Sequence, residues 1–183
     1  AVEPVAEDGP LVLWASQTGT AEEFATGLAA KIAGARLQVL DDTALDEVAA
    51  AGEVLVVTST FGDGGPPDNG ADFWARLSAA DAPDLSGLRY SVLGIGDRAY
   101  DNFCGYAKSL DGRFTELGAT ALLDRADCEA YDDEPIAQWS DAVVELAAAA
   151  PKAPTAPPEP AKPAKPAAPA KPFTRNNPLP VPL

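Results

Sequence analysis

Histidine and methionine are absent from this 183-residue chain, cysteine occurs twice, and 13 lysines and arginines stand against 28 aspartates and glutamates. Each shortage narrows the chemistry. Without an imidazole there is no Ser-His or Cys-His nucleophile pair and no histidine general base. Two thiols, Cys104 and Cys128, leave too few ligands for a zinc or iron–sulfur centre and speak against a secreted disulfide scaffold. No apolar run reaches the ~18 residues that a membrane-spanning helix needs. The scarcity of cations argues against nucleic acid and anionic membranes as partners, because both are bound through a positive face.

What is present is unevenly spread. Residues 1–149 carry 27 acidic and 8 basic side chains, whereas residues 150–183 carry 1 and 5. Nine of the 18 prolines fall between Pro151 and Pro172. The acidic part is long enough to bury one core, so residues 11–149 are expected to form the domain and residues 1–10 an N-terminal tail. The opening AVEPVAEDGP shows neither an initiator methionine nor a signal-peptide pattern and reads as a processed or excised end. The stretch PKAPTAPPEPAKPAKPAAPAKP reads as a semi-rigid polyproline-type linker over 150–172. After it, FTRNNPLPVPL (173–183) regains apolar residues, as at the entry to a further element. The acidic field has two readings, plain solubility and steering towards a partner with a basic face.

Within 11–149, apolar runs bounded by turn residues recur at 11–16, 37–40, 53–60, 90–96 and 121–126. They are too short for helices and too continuous for strands with one wet face, which is how parallel strands covered on both faces read. Helical periods lie between them at 21–33, 45–51, 71–79, 107–117 and 136–149, and in the first Phe24, Leu28 and Ile32 form one stripe. Strand and helix alternating five times predict an α/β fold with a five-stranded parallel sheet, its strands in the order 2-1-3-4-5.

In such sheets ligands sit beyond the carboxyl ends of the strands. Three loops there are unusual. SQTGTAE follows the first strand and brings hydroxyls at Ser16, Thr18 and Thr20 to the start of a helix, whose first amides lack internal partners. It suits a phosphate without metal, since the lysine of a nucleotide-triphosphate loop is missing. The same residues also suit a capping box, with Thr18 or Thr20 as N-cap and Glu22 or Glu23 reaching back. STFGDGGPPDNG places Phe61 at a glycine-rich tip, and GIGDRAYDNFCGYAK places Tyr100 and Phe103 nearby. A flat cofactor with a phosphate tail would satisfy all three loops at once.

SQTGTAEEFA, TSTFGDGGPPDNGADFW and LGIGDRAYDNFCGYAKSLDGRFTELGA resemble the three FMN-binding loops of the flavodoxin-like domain of diflavin reductases. LLDRADCEAYDDEPIAQW resembles the segment that closes that domain, so the likeness covers residues 11–149. Within the superfamily, LGIGD, the Phe103-Cys104 pair and LLDRADC are most similar to the flavoprotein alpha subunit of NADPH-dependent sulfite reductase, including fused nitrate/sulfite reductase flavoproteins. The resemblance implies a flavodoxin-like three-layer sandwich. It implies that Ser16, Gln17, Thr18, Gly19, Thr20 and Ala21 wrap the FMN phosphate. It puts Ser59, Thr60, Phe61 and Gly62 at one side of the isoalloxazine, and Ile95, Gly96, Asp97, Tyr100, Asn102, Phe103 and Cys104 at the other, with Tyr100 as the stacking ring. Asp127 falls where the family holds a carboxylate near the flavin. At Phe61 many relatives carry tyrosine; phenylalanine keeps the π-face and loses the hydroxyl.

Residues 173–183 are similar to the entry into an FAD and NADPH module, and the resemblance implies an FMN domain of a cytoplasmic reductase. Its FMN would take electrons from FAD, reduced by NADPH in the same polypeptide, and pass them singly to a basic haem acceptor: sulfite reductase haemoprotein, a fused nitrate reductase, or a haem-thiolate monooxygenase. No acid–base residue is required for that task, so the missing histidine is no obstacle. The competing expectations are a free-standing flavodoxin carrier and a flavodoxin-like binding module without cofactor.

Overall fold

The structure, a computed structural model, describes residues 9–149. The linker expected at 150–172 and the element entry at 173–183 lie outside the described residues, as do residues 1–8.

Strands and helices alternate as β1 (Leu11–Ala15), α1 (Thr20–Lys31), β2 (Arg36–Val39), α2 (Leu45–Ala50), β3 (Glu53–Ser59), α3 (Ala71–Leu77), β4 (Arg89–Gly96), α4 (Gly105–Glu116), β5 (Thr120–Ala121), β6 (Ala126–Glu129) and α5 (Asp133–Ala149). The sheet runs β2-β1-β3-β4, with β5 and β6 both pairing parallel to β4. This is the expected order, its fifth place shared by two short strands.

Period two decides the layers. Leu11, Leu13, Val54, Val56, Tyr90 and Val92 point into a core with Val48 of α2, Phe73 and Leu77 of α3, and Leu110 and Phe114 of α4. Their neighbours Val12, Leu55, Val57, Leu93 and Ile95 point the other way, against Leu28 of α1, Ile32 just after it, and Ile136, Trp139 and Val143 of α5. The central strands β1, β3 and β4 are apolar along most of their length because both faces are covered. On α1 the buried residues are Ala21, Ala25 and Leu28, with Ile32 beyond the helix end; Phe24 packs only partly. The two alanines let the start of the helix lie close over the sheet, so small residues lead the stripe where Phe24 was expected.

The fifth strand departs from its expected span of 121–126. Ala121 is the partner of Tyr90 and Ala126 that of Leu93, so five residues of chain advance against three on β4. The excess is taken up by residues 122–125. There Arg125 Nη1 donates to Asp111 Oδ2 (2.6 Å) and Arg125 Nε to Asp127 Oδ1 (2.8 Å). Ser91 Oγ donates to the Leu123 carbonyl (3.1 Å) and accepts from Trp139 Nε1 (2.9 Å), stitching the break to both layers.

Candidate functional site

Beyond the carboxyl ends of β1, β3, β4 and β6 lies a cavity of about 390 Å³, within the range of small-molecule sites. Gln17, Thr18 and Thr20 line it from the first loop, and Ser59, Thr60, Phe61 and Gly62 from the second. Ile95, Gly96, Asp97, Tyr100, Asn102, Phe103 and Cys104 close it from the third, and Ala130 from the turn after β6. Larger hollows of 560 Å³, beside α2 and α3, and 470 Å³, between α1 and α5, contain none of the expected site residues.

The first loop turns into α1 at Gly19, whose φ of 90° is left-handed backbone that favours glycine. The N-cap position is Gly19, which has no side chain to cap with, so the capping box is not formed on Thr18 or Thr20, and Glu22 and Glu23 do not reach back. Ser16 Oγ instead accepts from the amides of Gly19 (2.9 Å) and Ala21 (3.3 Å). The amides of Thr18, Thr20 and Glu22 make no hydrogen bond to another group among the described residues. The hydroxyls of Thr18 and Thr20 stand 3.4 Å apart on the cavity wall. Neutral donors without a lysine or arginine in the lining make a cradle for one terminal phosphate.

In the second loop Phe61 and Gly65 exchange amide bonds of 2.9 Å in each direction, which closes a tight turn through Gly62 and Gly64, both at positive φ. The Phe61 ring is left 54% exposed. Thr60 Oγ1 is buried with no hydrogen-bond partner. An orphaned hydroxyl costs roughly 1–3 kcal/mol, a cost that a polar atom in the cavity would lift.

The third loop turns on Asp97, whose carboxylate accepts the Ala99 amide (2.8 Å) and whose carbonyl accepts that of Tyr100 (3.1 Å). The Tyr100 ring is 47% exposed. Cys104 is fully buried at the start of α4 and, among the described residues, is the one non-glycine at positive φ, 54°. Burial, with the Asp127 charge, pushes its thiol up to about 12. Burial pushes Cys128 to about 11. Both thiols are free and protonated at neutral pH, so Cys104 is a wall rather than a nucleophile.

Four expected residues do not line the cavity. Ser16 and Gly19 shape the first loop from behind, and Ala21 is in the core. Asp127 lies on β6 with both carboxylate oxygens taken by Arg125 (2.8 and 3.2 Å), so that charge is paired below the site. Gln17 lines the cavity, yet its amide also ties two loops: Gln17 Nε2 donates to Asp68 Oδ2 (3.0 Å) and the Asp68 amide donates to Gln17 Oε1 (3.1 Å).

Residues that sequence reasoning missed hold the loops together. The Ser16 amide donates to Asn69 Oδ1 (2.9 Å) and the Asn102 amide to Asp63 Oδ1 (3.0 Å). A Cβ on Gly64 or Gly105 would run into the Asn102 side-chain amide, so the second and third loops touch there. Loop composition hinted at Asp63, Asp68 and Asn69; nothing local marks Ala130. Among the described residues no group of three or more Cys, Asp or Glu could hold a metal, and no helix is long and apolar enough to cross a membrane. The lining suits a flat molecule with an anionic tail, the tail at the amides of the first loop and a polar edge of the flat part at the Thr60 hydroxyl.

The family model described as Flavodoxin matches residues 12–139. The sulfite reductase [NADPH] flavoprotein alpha-component of Bacillus subtilis is 37% identical over 138 residues, covering 73% of this chain and 23% of that protein. Its counterpart from Mannheimia succiniciproducens is 40% identical over 152 residues, covering 79% and 26%. The chain thus spans about a quarter of the length of these curated relatives. Among solved structures, the flavodoxin of Streptococcus pneumonia TIGR4 superposes with a TM-score of 0.67 at 30% identity, over 77% of this chain and 99% of that one. Oxidised flavodoxin 2 from Bacillus cereus gives 0.65 at 25% identity, over 75% and 98%.

Proposed function

The chain belongs to the flavodoxin family, and we propose that it holds FMN between its three loops and serves as the FMN domain of a longer NADPH-dependent diflavin reductase. The observation that carries the reading is the meeting of two kinds of group on one cavity: helix-start amides and paired threonine hydroxyls from the first loop, and two half-exposed aromatic rings from the second and third.

When bound, FMN supplies one-electron chemistry between a two-electron donor and a one-electron acceptor. The protein supplies position. The amides of Thr18, Thr20 and Glu22 and the hydroxyls of Thr18 and Thr20 would hold the phosphate, while Ser16 keeps that loop in shape. Phe61 and Tyr100 would cover the ring faces, and Phe103, Cys104 and Ala130 would keep water from its inner edge. No general acid or base enters, in keeping with raised thiols and a paired Asp127.

In this reading FAD and NADPH bind in another part of the same polypeptide, joined through the proline-rich segment at 150–172. A haem protein with a basic face accepts the electrons in the cytoplasm. Sulfite reductase haemoprotein fits best because the curated relatives carry that reductase's name; a fused nitrate reductase or a haem-thiolate monooxygenase would present similar chemistry. A second reading, a stand-alone flavodoxin-type carrier, draws support from solved flavodoxins that this chain matches almost end to end.

An absorption spectrum of the purified chain, followed by titration with FMN and riboflavin, tests the site. Flavin bands and tighter binding of FMN are expected; a chain indifferent to both would end the reading. Reduction of bound FMN by NADPH only after an FAD module is joined through 150–172, rather than merely mixed in, separates the domain from the carrier.

A further inference from the structure

We propose that Arg98 is a positioning residue that fixes the inner wall of the pocket by clamping two loops together; the proposal rests on the FMN reading above. Arg98 stands just past β4, separated from its last residue Gly96 by Asp97, and does not itself line the cavity. Its guanidinium acts in three directions. Nη2 donates to Asp132 Oδ2 at 3.0 Å, Nε lies 3.4 Å from Glu129 Oε2, and Cζ sits 4.8 Å from the centroid of the Phe103 ring. The Arg98 amide also donates to Glu129 Oε1 (3.2 Å), and the Glu129 amide donates to Asp132 Oδ2 (3.0 Å).

One side chain therefore joins the loop that carries Asp97, Tyr100 and Phe103 to the turn that carries Ala130. Phe103 and Ala130 are both cavity walls. Below them Cys104 Sγ donates to the Cys128 carbonyl at 3.8 Å, a weak bond that leaves the rim to Arg98. The Asp132 carboxyl is held below its usual range, by the Glu129 amide first and then by Arg98, so the clamp is ionised at neutral pH.

The Arg98 side chain is 58% exposed, and exposed ion pairs contribute little to folding. What this arrangement fixes is geometry. A planar fork on two carboxylates, stacked over an aromatic ring, holds that ring in one place, which a lysine cannot reproduce. The expected readout is a change in ligand fit with little change in stability. Because the clamp acts at the ring end of the ligand, FMN and riboflavin should feel its loss equally. The phosphate cradle, by contrast, distinguishes them.

The test titrates the apo chain with FMN and with riboflavin. For Arg98→Ala both affinities should fall by about tenfold, from the combined loss of the stacking and ion-pair contacts. The visible bands of saturated flavin should shift, and the melting temperature of the apo chain should move by no more than a few degrees. Arg98→Lys should bind like Arg98→Ala, and Asp132→Asn should add little to it, because the pair acts as one unit. Wild-type binding of both flavins by Arg98→Ala, full rescue by lysine, or full additivity with Asp132→Asn would each overturn the proposal. So would an apo melting temperature lowered by more than about ten degrees, since Arg98 would then support the fold. A wild-type chain that binds neither flavin overturns the FMN reading first and this proposal with it; a wild-type chain that binds FMN while Arg98→Ala is indistinguishable overturns this proposal alone.

Discussion

In the proposed FMN site the hydroxyls of Thr18 and Thr20, 3.4 Å apart at the start of α1, would address only the phosphate end of the ligand. Replacing both with alanine should weaken FMN by about ten- to a thousandfold, roughly 1.4–4 kcal/mol in total, which lies between two lost neutral hydrogen bonds and two to a charged group, and leave riboflavin nearly unchanged. Equal losses in a paired titration would defeat the phosphate assignment. Tyr100 and Phe61 are almost equally exposed, at 47% and 54%, but differently mounted: Tyr100 on a turn closed by Asp97, Phe61 at the base of a glycine turn. Tyr100→Ala should therefore cost more affinity, whereas Phe61→Ala should chiefly change flavin fluorescence; the reverse order would move the principal stacking face to Phe61. Fourteen of the expected site residues line the cavity because motifs on three successive loops are local in sequence. Asp127 could not be placed that way. Its fate depends on Arg125, two residues away but aimed by Asp111 on another element.

At the scale of elements, period and turn residues made most of the sheet legible, since strands buried on both faces leave an unbroken apolar signature. The exception is instructive. ALLDRA is apolar and short, yet only Ala121 and Ala126 pair with β4, because Arg125 leaves the sheet to bridge Asp111 and Asp127. No local pattern reports such a long-range ion pair. The three side chains are each about a quarter exposed, so the bridge stands between a surface pair and a buried one. Arg125→Ala should destabilise the domain by about 1–3 kcal/mol, leaving two carboxylates without their cation. Urea unfolding measures it; an unchanged midpoint would show that residues 122–125 are held by Ser91 and the sheet alone.

For the whole molecule, charge is the governing quantity. In the proposed reductase the acidic domain would meet a basic acceptor, so transfer from bound FMN should slow as salt rises past about 0.1 M, where screening shortens to roughly 10 Å. A rate flat in salt would remove the electrostatic docking. Stability responds to pH through Glu53, at the opposite end of the sheet from the cavity. Burial raises its carboxyl above the ordinary value of 4.5 by more than the Arg89 partner, 2.7 Å away, lowers it. The folded state thus holds that proton more tightly than the unfolded chain. The stability it contributes is full below about pH 4.5 and is lost as pH climbs through the raised value. The melting temperature of Glu53→Gln relative to wild type should rise from pH 4 to pH 7; a falling difference would reverse the assignment. The break at 122–125 has one more consequence, for self-association. An open sheet offers its outermost strands to any passing chain as templates. Here one margin is the short β2, and the other is two residues of β5 followed, past a charged interruption, by β6 with Asp127 and Glu129. Neither margin presents a long, flat, uncharged row of amides and carbonyls, so a domain detached from its neighbours is guarded against fibre-like stacking by the very irregularity that interrupts its last strand.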